Sequence, residues 1–210
     1  MIVAGIGCRQ GATAKEIDAA IEGALPVDEE LPTRAPNWVF RALTGERGVL
    51  RPIDTDRYTF HHPLWQAFLA AQEQLTADPA TLIEHLDDGH WSEMLRFYAE
   101  SGDMKPVLIE WMRRPDDLFR SRLRTLGSWI GAAPADASWR DGAMAMMARS
   151  FLQPGLPARV REGLIQALTA TRMPGITYLF KQALRHTDAE IRRVAVTGLT
   201  KIANDTDLPA

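Results

Sequence analysis

A glycine-rich loop near the N-terminus is the first stretch whose residue types suit chemistry. Gly5, Gly7 and Gly11 let the backbone turn sharply in front of a predicted helix. Thr13 then supplies an N-cap, and Glu16 three residues later completes a capping box. The glycine spacing departs by one residue from the dinucleotide fingerprint. Helix N-termini nevertheless attract anions, so Gly5, Gly7, Gly11 and Thr13 form a candidate anion-binding loop.

A second cluster of suitable residue types lies at His85, Asp87, Asp88 and His90. Imidazole and carboxylate groups bind metals, but this spacing matches no standard ligand motif. The Asp-Asp-Gly run is typical of a turn that caps the helix beginning at Trp91. The chain has 1 cysteine, which excludes an intramolecular disulfide and a thiolate zinc site. We therefore assign no metal ligand.

The sequence contains no catalytic motif. It lacks the phosphate-binding Gly-x-x-x-x-Gly-Lys-Ser/Thr, Gly-x-Ser-x-Gly and His-Glu-x-x-His patterns, and we find no convincing carboxylate pair. We therefore assign no catalytic residue and no cofactor. The lack of catalytic motifs in the sequence favours a binding protein over an enzyme.

The remaining elements are a short helix, a small β-hairpin and then helices only. Trp38–Thr44 is the short helix, and Gly48–Pro52 pairs with Arg57–Phe60 in the hairpin. Beyond it, apolar residues recur at helical spacing between proline and glycine breaks. With Ala14–Leu25 ahead of the hairpin, the predicted helices are Pro63–Gln74, Thr81–Leu86, Trp91–Glu100, Lys105–Arg113, Asp117–Gly131, Trp139–Leu152, Ala158–Thr171, Gly175–His186 and Ala189–Asn204.

Two of these helices carry the same pattern, shifted by 31 residues. A period of this size is typical of helical repeat proteins, whose stacked units bury a continuous core. The predicted repeat-stacking residues are Val160, Arg161, Leu164 and Leu168 in one helix and Ile191, Arg192, Ala195 and Leu199 in the other.

The run from Asp188 to Leu199 resembles the second helix of a HEAT repeat. Pro157–Leu168 is a looser copy, and Asp116–Trp129, with Phe119-Arg120 as the apolar-arginine pair, is a weaker one. This resemblance implies an armadillo-like, right-handed α-solenoid of antiparallel helix pairs. It also implies that Arg192 bonds between neighbouring repeats.

The hairpin and the helix after it resemble the end of the helical region of NACHT-type STAND nucleotidases. The match runs through Arg57-Tyr-Thr-Phe-His-His-Pro-Leu-Trp-Gln-Ala-Phe-Leu-Ala-Ala and continues into the Trp91 helix. The resemblance implies the C-terminal part of such a protein without its nucleotidase. In that family a hairpin histidine senses nucleotide, and His61 or His62 holds that position here; capping of the following helix is the favoured alternative.

The first residues resemble a different family, the CobE/CbiG C-terminal domain of cobalamin biosynthesis. Its strand, Gly-Ile-Gly, arginine, Gly-Ala-Thr and Glu-Ile pattern is met up to about Leu25. The expected strand is the apolar run Met1–Ile6, and a lone strand–loop–helix has no neighbouring strand to pair with. This resemblance implies corrin-ring biosynthesis as the alternative function.

The sequence thus predicts a mainly α protein in five parts. They are a βα fragment at 1–25, a linker at 26–36, a hairpin-plus-helix module at 37–75, HEAT-like repeats at 76–204 and a tail at 205–210. We expect a cytoplasmic scaffold that binds a protein partner on the face of the solenoid. A net charge of -3 argues against nucleic acid, and no apolar stretch is long enough for a membrane. The sequence leaves the oligomeric state open.

Overall fold

The structure is a computed structural model that describes residues 11–24 and 35–206, and it is mainly helical. The chain divides into two compact units, Met1–Tyr98 and Ala99–Ala210. The mainly helical class is therefore confirmed. The strand predicted over 1–6, most of the predicted linker and the end of the tail lie outside the described residues.

A small antiparallel sheet organises the first unit. Its strands are β1 (Ala12–Thr13), β2 (Leu50–Asp54) and β3 (Arg57–Phe60), in the order β1-β3-β2. Leu50 pairs with Phe60 in the hairpin, which confirms the predicted hairpin, and Ala12 pairs with Tyr58. The expectation of an unpaired N-terminal unit is therefore wrong for its described part, because residues 12–13 add a third strand to the hairpin.

Two helices cover this sheet. Helix α1 (Ala14–Ala24) packs on β1 and on α2 (Ala35–Thr44), and α2 packs on β2. Their shared core consists of Ala12, Ile17, Ile21, Leu50 and Phe60, with Val39, Phe40, Leu43, Val49 and Tyr58 packed against it. The start of the chain and the hairpin thus share one hydrophobic core.

Three helices complete the first unit: α3 (Pro63–Gln74), α4 (Pro79–Glu84) and α5 (Ser92–Tyr98), the last preceded by a 3₁₀ turn at Gly89–Trp91. Helix α3 has the bounds that the sequence predicts, and α5 packs along it. Helix α4 begins two residues before its predicted start, because the Asp78 carboxylate caps the Ala80 N–H and Pro79 occupies the first turn. Helices α4 and α5 belong to the same compact unit as the hairpin, whereas the sequence grouped them with the repeats.

The second unit is entirely helical in its described residues. Its helices are α6 (Lys105–Arg113), α7 (Ser121–Ala132), α8 (Arg140–Phe151), α9 (Ala158–Ala170), α10 (Gly175–Ala183) and α11 (Ala189–Thr206).

Alternate helices of the second unit pack side by side. Helix α9 contacts α7 on one side and α11 on the other, α8 packs on α7 and α9, and α10 packs on α11. Gly127 faces Ala167 and Gly131, one turn later, faces Ala170, so α7 and α9 run in the same direction. The ring of Phe151 in α8 meets that of Phe180 in α10 edge to face, with centroids 5.5 Å apart.

Two tryptophans anchor the beginning of this unit. Trp111 of α6 and Trp129 of α7 are buried, with ring centroids 5.0 Å apart and planes tilted by 51°. The Trp111 indole N–H donates to the Arg122 carbonyl oxygen at 3.0 Å, and the Arg122 guanidinium lies over the Trp111 ring. These contacts fix the N-terminal end of α7 against α6.

Helix α7 begins four residues later than predicted. Asp116 accepts hydrogen bonds from the Arg122 and Leu123 N–H groups, and Asp117 accepts one from Ser121. These acidic side chains therefore cap the helix from outside. The weak third repeat copy at Phe119-Arg120 is wrong, because Phe119 is exposed and Arg120 precedes the helix with a φ of 56°.

Candidate interaction site

A groove runs between the N-terminal half of α7 and the middle of α9, and we call it the α7–α9 groove. Its volume is about 330 Å³. It is lined by Ser121, Arg124, Thr125, Gly163, Gln166 and Ala167. The lining combines one cation, small residues and neutral polar side chains, and it contains no carboxylate.

Arg124 lies across this groove onto the neighbouring helix. A Cβ added to Gly163 would lie 3.0 Å from the Arg124 Nε and 3.1 Å from its Cδ. Gly163 therefore provides the space into which the arginine side chain folds. Any larger residue at this position of α9 would force the guanidinium to move.

The floor of the α7–α9 groove depends on two glycines in α7. A Cβ at Gly127 would lie 2.3 Å from the Ala167 carbonyl oxygen, and one at Gly131 would lie 2.4 Å from that of Ala170, both well inside the van der Waals contact distance. The glycines therefore allow the two helix backbones to approach closely, as small residues four positions apart do in other helix pairs. This approach holds the groove at a fixed width.

Acidic capping groups lie beside the groove at the start of α7. The pKa of Asp117 is lowered, first by hydrogen bonds from the backbone and side chain of Ser121 and to a smaller extent by the charge of Arg124. Asp117 therefore stays ionised at neutral pH. It places one negative charge near the entrance of the groove without lining it.

The seam between α9 and α11 carries a small charge network. Arg193 of α11 pairs with Glu190 at 2.6 Å and lies 3.8 Å from Glu162 of α9. The pKa of Glu190 is lowered and that of Arg193 is raised, in both cases first by the hydrogen bond that they share. Glu162, which precedes Gly163 in sequence, is therefore directed toward α11.

The two predicted stacking arginines, Arg161 and Arg192, bind backbone carbonyl groups. Arg161 is buried and donates to the carbonyl oxygens of Phe151, Gln153 and Leu156 at 3.2, 3.1 and 3.4 Å. Arg192 is exposed and donates to the carbonyl oxygens at 186 and 187. Each arginine thus closes the loop that leads into its own helix.

Six of the eight predicted stacking residues are buried, and Arg192 and Leu199 are not. Val160, Leu164 and Leu168 have little exposure in α9. Ile191 and Ala195 are fully buried in α11, whereas Leu199 is half-buried. The core face of α11 therefore includes Val194 next to Ile191, and Leu199 lies at its edge.

The predicted anion-binding loop is described only in part. Gly5 and Gly7 lie outside the described residues. Gly11 has a φ of 67°, and a Cβ there would clash with Ile53 and with the Tyr58 carbonyl. This glycine therefore allows the chain to pack closely against the sheet. The Thr13 N–H and hydroxyl both donate to the Glu16 carboxylate, which confirms the capping box. The carboxylate of Glu16 thereby occupies the place beside Thr13 that an anion would take.

The two hairpin histidines, His61 and His62, form hydrogen bonds with nearby backbone groups. The His62 Nδ1 accepts a hydrogen bond from the Leu64 N–H at 3.2 Å and caps α3. The His61 N–H donates to the Val49 carbonyl oxygen. For His62 the structure agrees with the capping interpretation.

The cluster at 85–90 also forms a turn. Asp88 caps the 3₁₀ turn by accepting the His90 N–H, and His85 stacks on Trp91 with ring centroids 4.0 Å apart. Across residues 11–24 and 35–206, no group of three or more His, Cys, Asp or Glu side chains could hold a metal ion. No helix in that part of the chain is long and apolar enough to cross a bilayer.

Sequence reasoning missed the residues of the α7–α9 groove. Arg124 belongs to a run of arginines, and no local pattern singles it out. Gly163 lies inside the looser HEAT-like copy, and its lack of a side chain leaves room for the groove. The sequence signal that could have indicated the close contact between α7 and α9 is the pair Gly127 and Gly131, four residues apart on one helix.

Comparisons with protein-family models, with curated proteins and with solved structures found no significant match to this chain.

Proposed function

We propose that this chain is a non-catalytic protein-interaction scaffold whose second unit forms a right-handed HEAT-like solenoid. It would correspond to the C-terminal part of a NACHT-type protein without its nucleotidase. The partner would bind the layer formed by α7, α9 and α11. A cytoplasmic location goes with this proposal.

The observation that carries the proposal is a contact that recurs with the sequence period. Arg161 donates to the carbonyl of Leu156, and Arg192, 31 residues later, donates to that of Thr187, which is 31 residues after Leu156. Val160 and Ile191, related by the same shift, are both buried. A contact that recurs with the sequence period is what stacked repeats produce.

The packing order gives further support. In an α-solenoid, each helix packs on the next helix of its own layer, two positions along the chain. The contacts of α9 with α7 and α11, and the ring contact between α8 and α10, follow that order.

Site-specific photocrosslinking tests the proposal. A photoreactive phenylalanine would replace Gln166, on the exposed face of α9, in the full chain expressed in cells. The matched control places it at Tyr178, which is exposed on α10 in the other layer. We expect a discrete protein crosslink from position 166 and none from 178. The absence of a crosslink at 166, or the same products at both positions, would contradict the proposal.

Corrin-ring biosynthesis of the CobE/CbiG type is the second candidate. The strand of that signature lies outside the described residues, but its helix is present as α1 and begins with the capping box of Thr13 and Glu16, as the resemblance implies. Calorimetric titration of the full chain with cobyric acid separates the two candidates. Saturable binding would favour the corrin pathway, and its absence would favour the scaffold.

A further inference from the structure

We infer that the α7–α9 groove binds a peptide segment through one acidic side chain, with the Arg124 guanidinium as the group that receives the carboxylate. The inference deepens the proposed scaffold function and depends on it. It rests on the state of the Arg124 side chain, on the charges around it and on the polar groups beside it.

The donor groups of Arg124 are available to a ligand. Among the described residues, no hydrogen bond or ion pair engages its guanidinium, whereas Arg161, Arg192 and Arg193 are all engaged. A guanidinium presents a planar fork of N–H donors that matches a carboxylate, and such charge-assisted pairs are stronger than neutral hydrogen bonds.

The Arg124 side chain is exposed and lies along the neighbouring helix. Its Nε and Cδ lie at 3.0 and 3.1 Å from the point that a Cβ of residue 163 would occupy, so the side chain lies along the surface of α9. The groove therefore presents an exposed cation on the surface of α9.

The charges around Arg124 favour one carboxylate over a polyanion. Asp117 lies near enough to interact electrostatically with Arg124, and Glu162 precedes Gly163 on α9. A nucleic acid or another polyanion needs several clustered cations, which this groove lacks. Arg124 is the one cation among the residues that line the groove, so the groove offers a site for one carboxylate.

The neutral lining of the groove suits a peptide backbone. Gln166 offers both an amide donor and an amide acceptor, and the described contacts leave its side chain unengaged. Thr125 turns its hydroxyl back to the Ser121 carbonyl, so it contributes mainly its methyl group. Gly163 and Ala167 form a flat floor without side chains that would block an extended chain.

Selection from a displayed library of random dodecapeptides on the immobilised full chain tests the inference. We expect the selected peptides to share Asp or Glu at one fixed position. A synthetic consensus peptide should bind the Arg124→Gln protein about tenfold more weakly, as expected for loss of a hydrogen-bonded charge. Arg149→Gln is the matched control, because it removes the same charge from an exposed position on α8 and should leave the affinity unchanged.

A second variant tests position rather than charge. Gly163→Ala keeps every charge but displaces the Arg124 side chain, so it should also weaken the consensus peptide. Selected peptides without a shared acidic position, or full affinity in Arg124→Gln, would overturn the inference and leave the scaffold function standing. A library that yields no binders would overturn the inference too, and the crosslinking at position 166 would then decide the scaffold function separately.

Discussion

Arg161 and Arg192 occupy equivalent positions in successive helices, but their surroundings differ. The guanidinium of Arg161 is buried and bonded to three carbonyl oxygens, whereas that of Arg192 is exposed. A buried carbonyl that loses its donor also loses its access to water, which makes the missing hydrogen bond costly. The same residue type therefore contributes differently in the two helices.

We expect Arg161→Met to lower the free energy of unfolding by about 2–4 kcal/mol, because it leaves the buried carbonyl group of Phe151 and two part-buried carbonyl groups without donors. Arg192→Met is the matched control and should cost less than about 1 kcal/mol, because water can replace its bonds. Urea unfolding followed by circular dichroism measures both. Equal losses for the two variants would contradict the difference in burial.

The capping box at Thr13 and Glu16 makes a pH-dependent contribution to folding. The pKa of Glu16 is lowered from its ordinary 4.5, first by the Thr13 backbone N–H and then by the Thr13 hydroxyl. A carboxyl whose pKa is lower in the folded state stabilises that state above pH 4.5, and this contribution is lost as the pH falls through the folded-state pKa.

We therefore expect Thr13→Ala to raise the pKa of Glu16 toward its ordinary value while the backbone hydrogen bond keeps it partly lowered. Titration of the Glu16 side-chain resonances by NMR measures this shift. Thr55→Ala serves as the control, because Thr55 lowers the pKa of Asp54 and makes no contact with Glu16. An unchanged Glu16 pKa in Thr13→Ala would show that the hydroxyl contributes nothing.

At the residue scale the sequence predicts local partners well and distant ones poorly. The capping box at Thr13 and Glu16 follows from spacing alone, because both groups lie in one helical turn. The arrangement of Arg124 over Gly163 joins two helices that are far apart in sequence. No local pattern encodes which surface of α9 an arginine of α7 will meet.

At the scale of helices, the α7–α9 seam depends on backbone contact. Gly127→Ala should destabilise the protein by about 1–3 kcal/mol, because the added Cβ would strike the Ala167 carbonyl. Gly142→Ala in α8 has open space around it and should stabilise by up to about 1 kcal/mol through helix propensity. Thermal unfolding of the two variants should therefore shift in opposite directions, and a shift of both in the same direction would refute the close approach.

The buried face of α11 makes a further prediction at this scale. Ile191→Ala should cost about 2–5 kcal/mol, because its side chain is fully buried. Leu199→Ala should cost clearly less, since Leu199 is half-buried and water can enter where it is truncated. Denaturant unfolding of the pair measures the difference. A larger loss at Leu199 would place the core of α11 elsewhere.

The bounds of helices show where sequence patterns lose information. Most helices are where apolar periodicity predicts them, and α3 and α6 match at both ends. Periodicity failed at the start of α7, since Leu118 and Phe119 extend the apolar pattern but lie outside the helix and are exposed. The capping hydrogen bonds of Asp116 and Asp117 set the start of α7. A pattern of apolar residues contains no information about such bonds.

At the scale of the whole molecule, the chain consists of two compact units. The sequence predicts the helical class and the hairpin, because both depend on local spacing. It did not predict that α1 would share a core with the hairpin, since this core unites residues as distant as Ile17 and Phe60. Pairing between Ala12 and Tyr58 brings α1 to the hairpin and so forms that core. A strand of only two residues is too short to show a periodic sequence pattern.

Two compact units should respond separately to core mutations. Leu168→Ala, which opens a cavity in the second unit, should lower hydrogen-exchange protection in α9 and its neighbours while α3–α5 keep theirs. Leu82→Ala should produce the reverse pattern, since Leu82 is fully buried in the first unit. Exchange read by mass spectrometry separates the two cases, and loss of protection throughout the chain from either change would indicate a single cooperative body.

The Trp111–Trp129 pair gives the second unit an optical signal of its own. Two indoles with centroids 5.0 Å apart and planes inclined at 51° have coupled electronic transitions, which absorb left and right circularly polarised light unequally while their packing is intact. The ultraviolet spectrum of the natural protein therefore reports on the junction of α6 and α7. Occupancy of the nearby groove could then be followed without attaching a dye.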